Sequence, residues 1–319
     1  MHTFIQRSLP LLVATVLIAV SGCDGVFDPK GTFEKRLVIF GLLTPGSDSV
    51  QIRLQSTYDP PGSDPLATTE GPDLSGAAAT VLWGSGQATL RDTLVPYPGR
   101  YTTGLHLLTA PLRVARGTAY TVRVDLAGYG RVEASTIVPG PAPIYLRDEV
   151  LLHNPAATND LVILIGMAPE ARGYLPRLLL EYEIVSQGNR VERREVPSDL
   201  VTTESQVSPE YPRLQGAPSD RSAGSTSYGL YQYRSDAYRY LLQRLYETYG
   251  QADLRFRRAI LTVTTVDRHL YTYYFLVNGF FDLYTVRTDE PDYSNVEGGV
   301  GFVGSYAVDS LVVTLPAVL

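Results

Sequence analysis

Ser49-Val50-Gln51-Ile52-Arg53-Leu54-Gln55-Ser56-Thr57-Tyr58 alternates apolar with polar side chains. Successive side chains of an extended chain point to opposite faces, so Val50, Ile52 and Leu54 share one face and Gln51, Arg53 and Gln55 the other. A period of two over this length predicts a half-buried strand. The signature recurs outward from it. Upstream, residues 35–43 predict a strand stopped by Thr44-Pro45-Gly46. Downstream, strands are predicted over 78–83, 88–94, 100–103, 119–126 and 131–138, the last two joined by the turn Ala127-Gly128-Tyr129-Gly130. The Pro-, Gly- and Asp-rich run 59–76 reads as a long loop. Short strands at this spacing predict an immunoglobulin-like β-sandwich over residues 35–140. Gly117-Thr118-Ala119-Tyr120, at the head of an alternating strand, fits a tyrosine corner.

Pro139-Gly140-Pro141-Ala142-Pro143 stiffens the chain and marks a domain boundary. Residues 144–319 predict a β-rich second domain with one or two short helices, so the fold class is mainly β. Strands are expected over 161–167, 178–185, 190–196 and 255–266. Residues 197–227, dense in Ser, Pro, Gly and Thr, read as a long excursion. Ser235-Asp236 is placed to cap a helix over 237–249, with Gly250 as its stop. Tyr238, Leu241, Leu242, Leu245 and Tyr249 fall on one face of it at helical spacing. Asp267 is placed to cap a second helix over 268–277, ended by Asn278-Gly279; a continued strand is the alternative reading. Residues 301–306 and 311–315 predict a closing strand pair.

The N-terminus predicts an address. A basic start with His2 and Arg7 precedes an apolar stretch from Leu9 to Val20. That stretch is shorter than the ~20 residues a membrane-spanning helix needs and has the layout of a secretory signal. Val20-Ser21-Gly22-Cys23 resembles a bacterial lipobox, in which the chain is cut before the cysteine and the thiol takes diacylglycerol. Two or more acyl chains hold a protein firmly to a bilayer. Cys23 is the only cysteine in the sequence, which makes it the expected lipid attachment residue and excludes an internal disulfide. Residues 1–22 are therefore expected to be a signal peptide and 23–34 a lipidated tether. The net charge of −6 argues against nucleic acid, whose phosphates demand a basic face.

Two further stretches carry a family resemblance. One is Gly117-Thr118-Ala119-Tyr120-Thr121-Val122-Arg123-Val124 running into Ala134-Ser135-Thr136-Ile137-Val138-Pro139. The other is Tyr293-Ser294-Asn295-Val296-Glu297-Gly298-Gly299-Val300-Gly301-Phe302-Val303-Gly304-Ser305-Tyr306. In this order behind a lipobox, they resemble the Bacteroidota lipoproteins grouped as domain-of-unknown-function family 4249. The glycine-rich C-terminal motif is the specific part, and the Ser/Pro/Gly stretch before Tyr228 departs from the family. The resemblance implies an outer-membrane lipoprotein, periplasmic or surface-exposed, often encoded near TonB-dependent transporters. It implies no reaction, and only Cys23 takes a role from it.

Other motifs are weak. Gly299-Val300-Gly301-Phe302-Val303-Gly304 has dinucleotide-site spacing, but no helix pattern follows it. The glycines fit a strand that bends or approaches another backbone closely. Asp289, Glu290, Asp292, Asn295 and Glu297 form an oxygen-rich loop that suits calcium or a solvated turn; the spacing is not that of an EF-hand. His106, His153 and His269 are not at metal-ligand spacing, and no G-x-S-x-G elbow is present. No catalytic, cofactor-binding or metal residue is assigned. Tyrosines cluster at 228, 231, 233, 238, 240, 246 and 249; Tyr238 and Tyr249 are expected in the core, while Tyr228, Tyr231 and Tyr233 are candidates for an exposed contact surface. The expected function is a non-enzymatic, lipid-anchored binding or accessory protein. Its expected partners are the membrane, a TonB-dependent β-barrel transporter and a small-molecule, peptide or glycan ligand. The alternatives are a hydrolase of extracellular polymers such as glycans, with carboxylates gathered by folding, and a structural envelope-assembly lipoprotein.

Overall fold

Strands β1 (Leu37–Leu43) and β2 (Ser49–Ser56) pair antiparallel, with Ile39 opposite Leu54. The computed structural model describes residues 33–58, 74–96, 104–203, 206–218, 227–278 and 293–319. Four more strands complete most of the first sandwich: β3 (Ala78–Trp83), β4 (Gly86–Val95), β5 (Leu105–Pro111) and β6 (Ala119–Leu126). β7 (Gly130–Ile137) follows. β1-β2-β5 continue into the second half of β4, while the first half of β4 pairs β3, which leads on to β6 and β7. One strand thus crosses from one layer to the other, and the layers carry the strand order of an immunoglobulin-like sandwich. The alternating residues Val50, Ile52 and Leu54 meet Val122, Val124 and Val132 in a single core. Burying each such side chain stabilises by about 1.5–3 kcal/mol. Tyr120 is fully buried at the start of β6, and its hydroxyl accepts a 2.8 Å hydrogen bond from the Ala115 N–H. That is the tyrosine corner expected from the sequence.

The second half is built from β8 (Ile144–Asp148), a short helix α1 (Val150–His153), β9 (Leu161–Met167), β10 (Gly173–Ile184) and β11 (Arg190–Glu195). The expected excursion holds a hairpin, β12 (Asp199–Thr202) with β13 (Val207–Glu210), and the short β14 (Gln215–Gly216). Then come β15 (Ser227–Tyr233), helix α2 (Ser235–Tyr249), β16 (Leu254–Val266), helix α3 (Arg268–Asn278), β17 (Val296–Glu297) and β18 (Val300–Thr314). β15-β9-β8 form a small separate sheet. Its inner face and α2 cover β10 and β16, closing a second core around Tyr182, Tyr233, Tyr238 and Phe256.

Helix α2 buries Tyr238, Leu242 and Leu245, the face its spacing predicts, and Gly250 ends it with φ +82°. Its cap differs from the expected one. Ser235 is already helical, and its N–H is taken by the carboxylate of Asp160 at 2.9 Å. For α3 the predicted cap holds: Asp267 Oδ1 accepts the Leu270 N–H at 2.7 Å.

One strand expectation is corrected, and one lies outside the described residues. Residues 97–103, including the strand expected at 100–103, lie outside the described residues, and the strand that pairs with β2 is Leu105–Pro111. The closing pair at 301–306 and 311–315 is one strand of fifteen residues, β18. Ala307, Val308, Asp309 and Ser310 continue its alternation because β16 pairs them throughout. Val300–Ser305 of β18 pair parallel with β1, and Tyr306–Thr314 pair antiparallel with β16. β17 pairs with β7. The C-terminal segment therefore adds strands to the sheets of both halves, and residues 36–319 make one compact unit.

Candidate functional site

The sheet β15-β9-β8 packs with one face only. Leu161, Ile163, Ile165 and Tyr233 point inward and are fully buried. Alternation then sends Tyr228 and Leu230 of β15, Val162 and Leu164 of β9 and Tyr145 of β8 outward. Leu230 lies opposite Leu164, which lies opposite Tyr145, so one row crosses the sheet. Tyr145 is 49% exposed, Tyr228 53% and Leu230 49%. The two tyrosine rings sit 6.3 Å apart, centroid to centroid, and brace each other. Beside them Arg147, Asp148, Asn159, Asp160 and Gln232 line a shallow polar hollow. An apolar centre with a polar rim is the anatomy of a protein contact surface.

The tyrosine cluster divides as its local structure requires. Tyr238 is core, as expected; Tyr249 is half-buried against that core, ring to ring with Tyr182. Of the three candidates for exposure, Tyr228 is exposed, Tyr231 half-buried and Tyr233 fully buried. Tyr145 and Leu230 were not singled out from the sequence. The available signal for Tyr145 was its place between Ile144 and Leu146 in an alternating strand.

The other sequence candidates scatter. Cys23, Asp289, Glu290 and Asp292 lie outside the described residues. Asn295 serves the fold: its side chain donates to the Val303 carbonyl at 2.7 Å and accepts the Val303 N–H at 2.9 Å, holding β18 as a neighbouring strand would. Glu297 is exposed on β17. His106 contacts Asp92 at 2.9 Å, His153 is exposed, and His269 Nδ1 meets the Tyr293 hydroxyl at 2.6 Å. Among the described residues, no group of His, Cys, Asp or Glu could hold a metal ion. The glycines of 299–304 bring backbones together. A Cβ on Gly299 would sit 2.6 Å from the Leu37 carbonyl oxygen, and Gly301 holds φ +116° against Ile39.

These glycines fall in the segment that carried the family resemblance, and a family model describes the same region. The model of Domain of unknown function (DUF4249) matches residues 26–311. The chain belongs to this family. The match takes in the first core, most of the second and the exposed sheet face of this DUF4249 protein. No curated protein matches the chain. Among solved structures, it is 12% identical to the C-terminal globular domain of an oligosaccharyltransferase from Pyrococcus abyssi, with a TM-score of 0.22, covering 74% of this chain and 51% of that one. The DUF4249 chain thus spans about half the length of that structure. It is 12% identical to titin A168–A169, with a TM-score of 0.19, covering 89% of this chain and 97% of that one. Neither likeness carries an argument about fold or function.

Proposed function

We propose that this DUF4249 protein is a non-catalytic, lipid-anchored envelope protein that docks on an outer-membrane β-barrel transporter of the TonB-dependent class and helps it capture ligand. The observation that carries the reading is the outward row Tyr145–Leu164–Leu230, exposed at Tyr145 and Leu230 and half-buried at Leu164, with exposed Tyr228 beside it. Isolated exposed apolar side chains need no explanation, but a contiguous row with a polar rim is costly to leave in water unless a partner covers it. Tyrosine suits that task, since its ring is apolar and its hydroxyl stays satisfied when wet or buried. The lipobox ending at Cys23 supports the membrane address.

The test is co-purification of the tagged protein from gently solubilised native outer membranes. The wild type is expected to bring down a β-barrel transporter in stoichiometric amount. A Tyr145→Ser/Tyr228→Ser double variant is expected to lose it while keeping the wild-type melting temperature. Cys23→Ser is expected to abolish lipid incorporation and release the protein from the membrane fraction. Elution of the wild type alone would end the transporter reading.

A further inference from the structure

Along the outermost strand β11 and the flank of helix α2 runs an open cleft of about 680 Å³. Its volume is that of a small-ligand site. Arg193, Arg194, Arg244, Tyr211, Tyr240 and Tyr249 contribute to its lining, and Glu195 is the one carboxylate there. Alternation along β11 puts Arg193 and Glu195 on the opposite face from Arg194, so Arg194 and Arg244 are the cations beside the tyrosines.

The arginines are not equivalent. Arg193 is held by Glu181 at 2.8 Å and Arg244 by Glu247 at 3.0 Å. Glu195 is turned to Arg177 at 3.5 Å. Arg194 makes no ion pair among the described residues. The nearby hydroxyls of Tyr182 and Tyr249 push its pKa up. Both hydroxyls also donate to the carboxylate of Glu192, at 3.3 and 3.4 Å. Glu192, on the same face of β11, feels the Arg194 charge but holds its ion pair with Arg190, so the three side chains leave one positive charge for an incoming anion. Beside Arg194, Tyr211 is 44% exposed, and Arg244 sits 6.0 Å over the ring of Tyr240.

We propose that this cleft binds an acidic saccharide, with Arg194 holding the carboxylate and Tyr211 and Tyr240 flanking the sugar ring. Guanidinium pairs with carboxylate through two parallel hydrogen bonds. Tyrosines supply flat apolar faces with hydroxyls at their tips, which suits a ring that is apolar on its faces and polar at its rim. An acidic peptide would have to add to the free edge of β11. That edge reads Arg190-Val191-Glu192-Arg193-Arg194-Glu195, with charges on both faces, the device by which sheets refuse an added strand. The inference names a ligand class for the binding reading above and rests on that reading for its biological sense.

The test is calorimetric titration of the full detergent-solubilised protein with trigalacturonate, with neutral maltotriose and with an acidic hexapeptide. Trigalacturonate is expected to bind saturably and more weakly as salt rises. Arg194→Gln is expected to lower its affinity about tenfold or more without moving the melting temperature. Tyr211→Ala, on an exposed side chain, is expected to weaken it about fivefold. Arg91→Gln, on the distant strand β4, is expected to leave it unchanged. Equal binding of maltotriose, indifference to both cleft variants, or tighter binding of the peptide through Arg194 would each overturn the proposal. Failure here leaves co-purification with a transporter intact, and failure of co-purification leaves the titration readable.

Discussion

At the buried meeting of β7, β18 and α3, the side chains of Thr136, Ser305 and Asp267 form a chain of contacts. Thr136 Oγ1 touches the Asp267 carboxylate and, at 2.9 Å, Ser305 Oγ; Ser305 Oγ donates to the Ile137 carbonyl at 3.0 Å. Thr136 donates to the Asp267 carboxylate, and Ser305 gives its proton to Ile137. Burial pushes the Asp267 pKa up, against the opposing bonds from Thr136 and the backbone at Leu270 and Ser305. A carboxyl raised in the folded state binds its proton more tightly there. Its contribution to stability is full below the ordinary value of 3.8 and is lost as pH rises through the raised folded value. Asp267→Asn keeps a donor and an acceptor in place, so urea unfolding should show near wild-type stability with a flatter pH profile. Asp267→Ala should cost about 2 kcal/mol by leaving buried partners unmade. Glu181 has the opposite sign. Its carboxylate, fully buried, receives Arg258 at 2.7 Å and Arg193 at 2.8 Å, and these bonds, Arg258 first, hold its pKa down against burial. Its contribution is present above the ordinary 4.5 and lost as pH falls through the lowered value. Glu181→Gln should cost about 2 kcal/mol at neutral pH and blunt acid unfolding, as followed by circular dichroism.

Among the elements, β18 shows both what a sequence makes legible and what it hides. The glycines at 299, 301 and 304 were visible as a motif, and the missing helix after them ruled out a phosphate cradle in favour of close backbone approach. The structure gives that approach a partner: Gly301 lies opposite Ile39 in the parallel pairing with β1, at φ +116°, where a Cβ would collide with the Ile39 carbonyl. Gly301→Ala should therefore destabilise by about 2–3 kcal/mol through strain at that position, read as a lowered urea midpoint at unchanged slope. That residues 300–314 form one strand was not legible, because its two partners lie at opposite ends of the sequence. Helix α2 was legible because helical spacing and the Gly250 stop agreed. Its cap was not, since Asp160 is far upstream in sequence and only folding brings it to Ser235. β5 escaped notice because Leu107 and Leu108 break the alternation, although β2 and β4 flank it on both sides. The exposed face of β15 and β8 was half legible: Tyr228 stood in a tyrosine cluster, but its pairing with Tyr145 depends on β9 lying between them.

At the scale of the whole molecule, the sandwich of residues 36–137 draws part of its core from the far end of the chain. Val296 and Val303 pack in the first core with Leu37, Ile39 and Val132. β18 covers the edge of β1, and β17 covers the edge of β7. Arg116, in the loop before β6, pairs with Asp309 of β18 at 2.8 Å and donates to the Val308 carbonyl at 2.9 Å, while Asp309 also accepts the Ala142 N–H at 3.1 Å. A fragment of residues 33–143 loses all of these at once. It exposes two sheet edges, opens the core at two valines and leaves Thr136 without Ser305 and Asp267. Small domains hold only about 5–15 kcal/mol of net stability, and removing two core valines and their cross-strand bonds consumes much of that range. The fragment should show strand content by circular dichroism but no cooperative urea transition. The same fragment with residues 293–319 rejoined by a flexible linker should regain one, because β18 then refills the core and closes the β1 edge. Cooperative unfolding of 33–143 alone, at the wild-type midpoint, would mean that the sandwich is complete without β18. The parallel pairing with β1 would then join two self-sufficient bodies instead of finishing one.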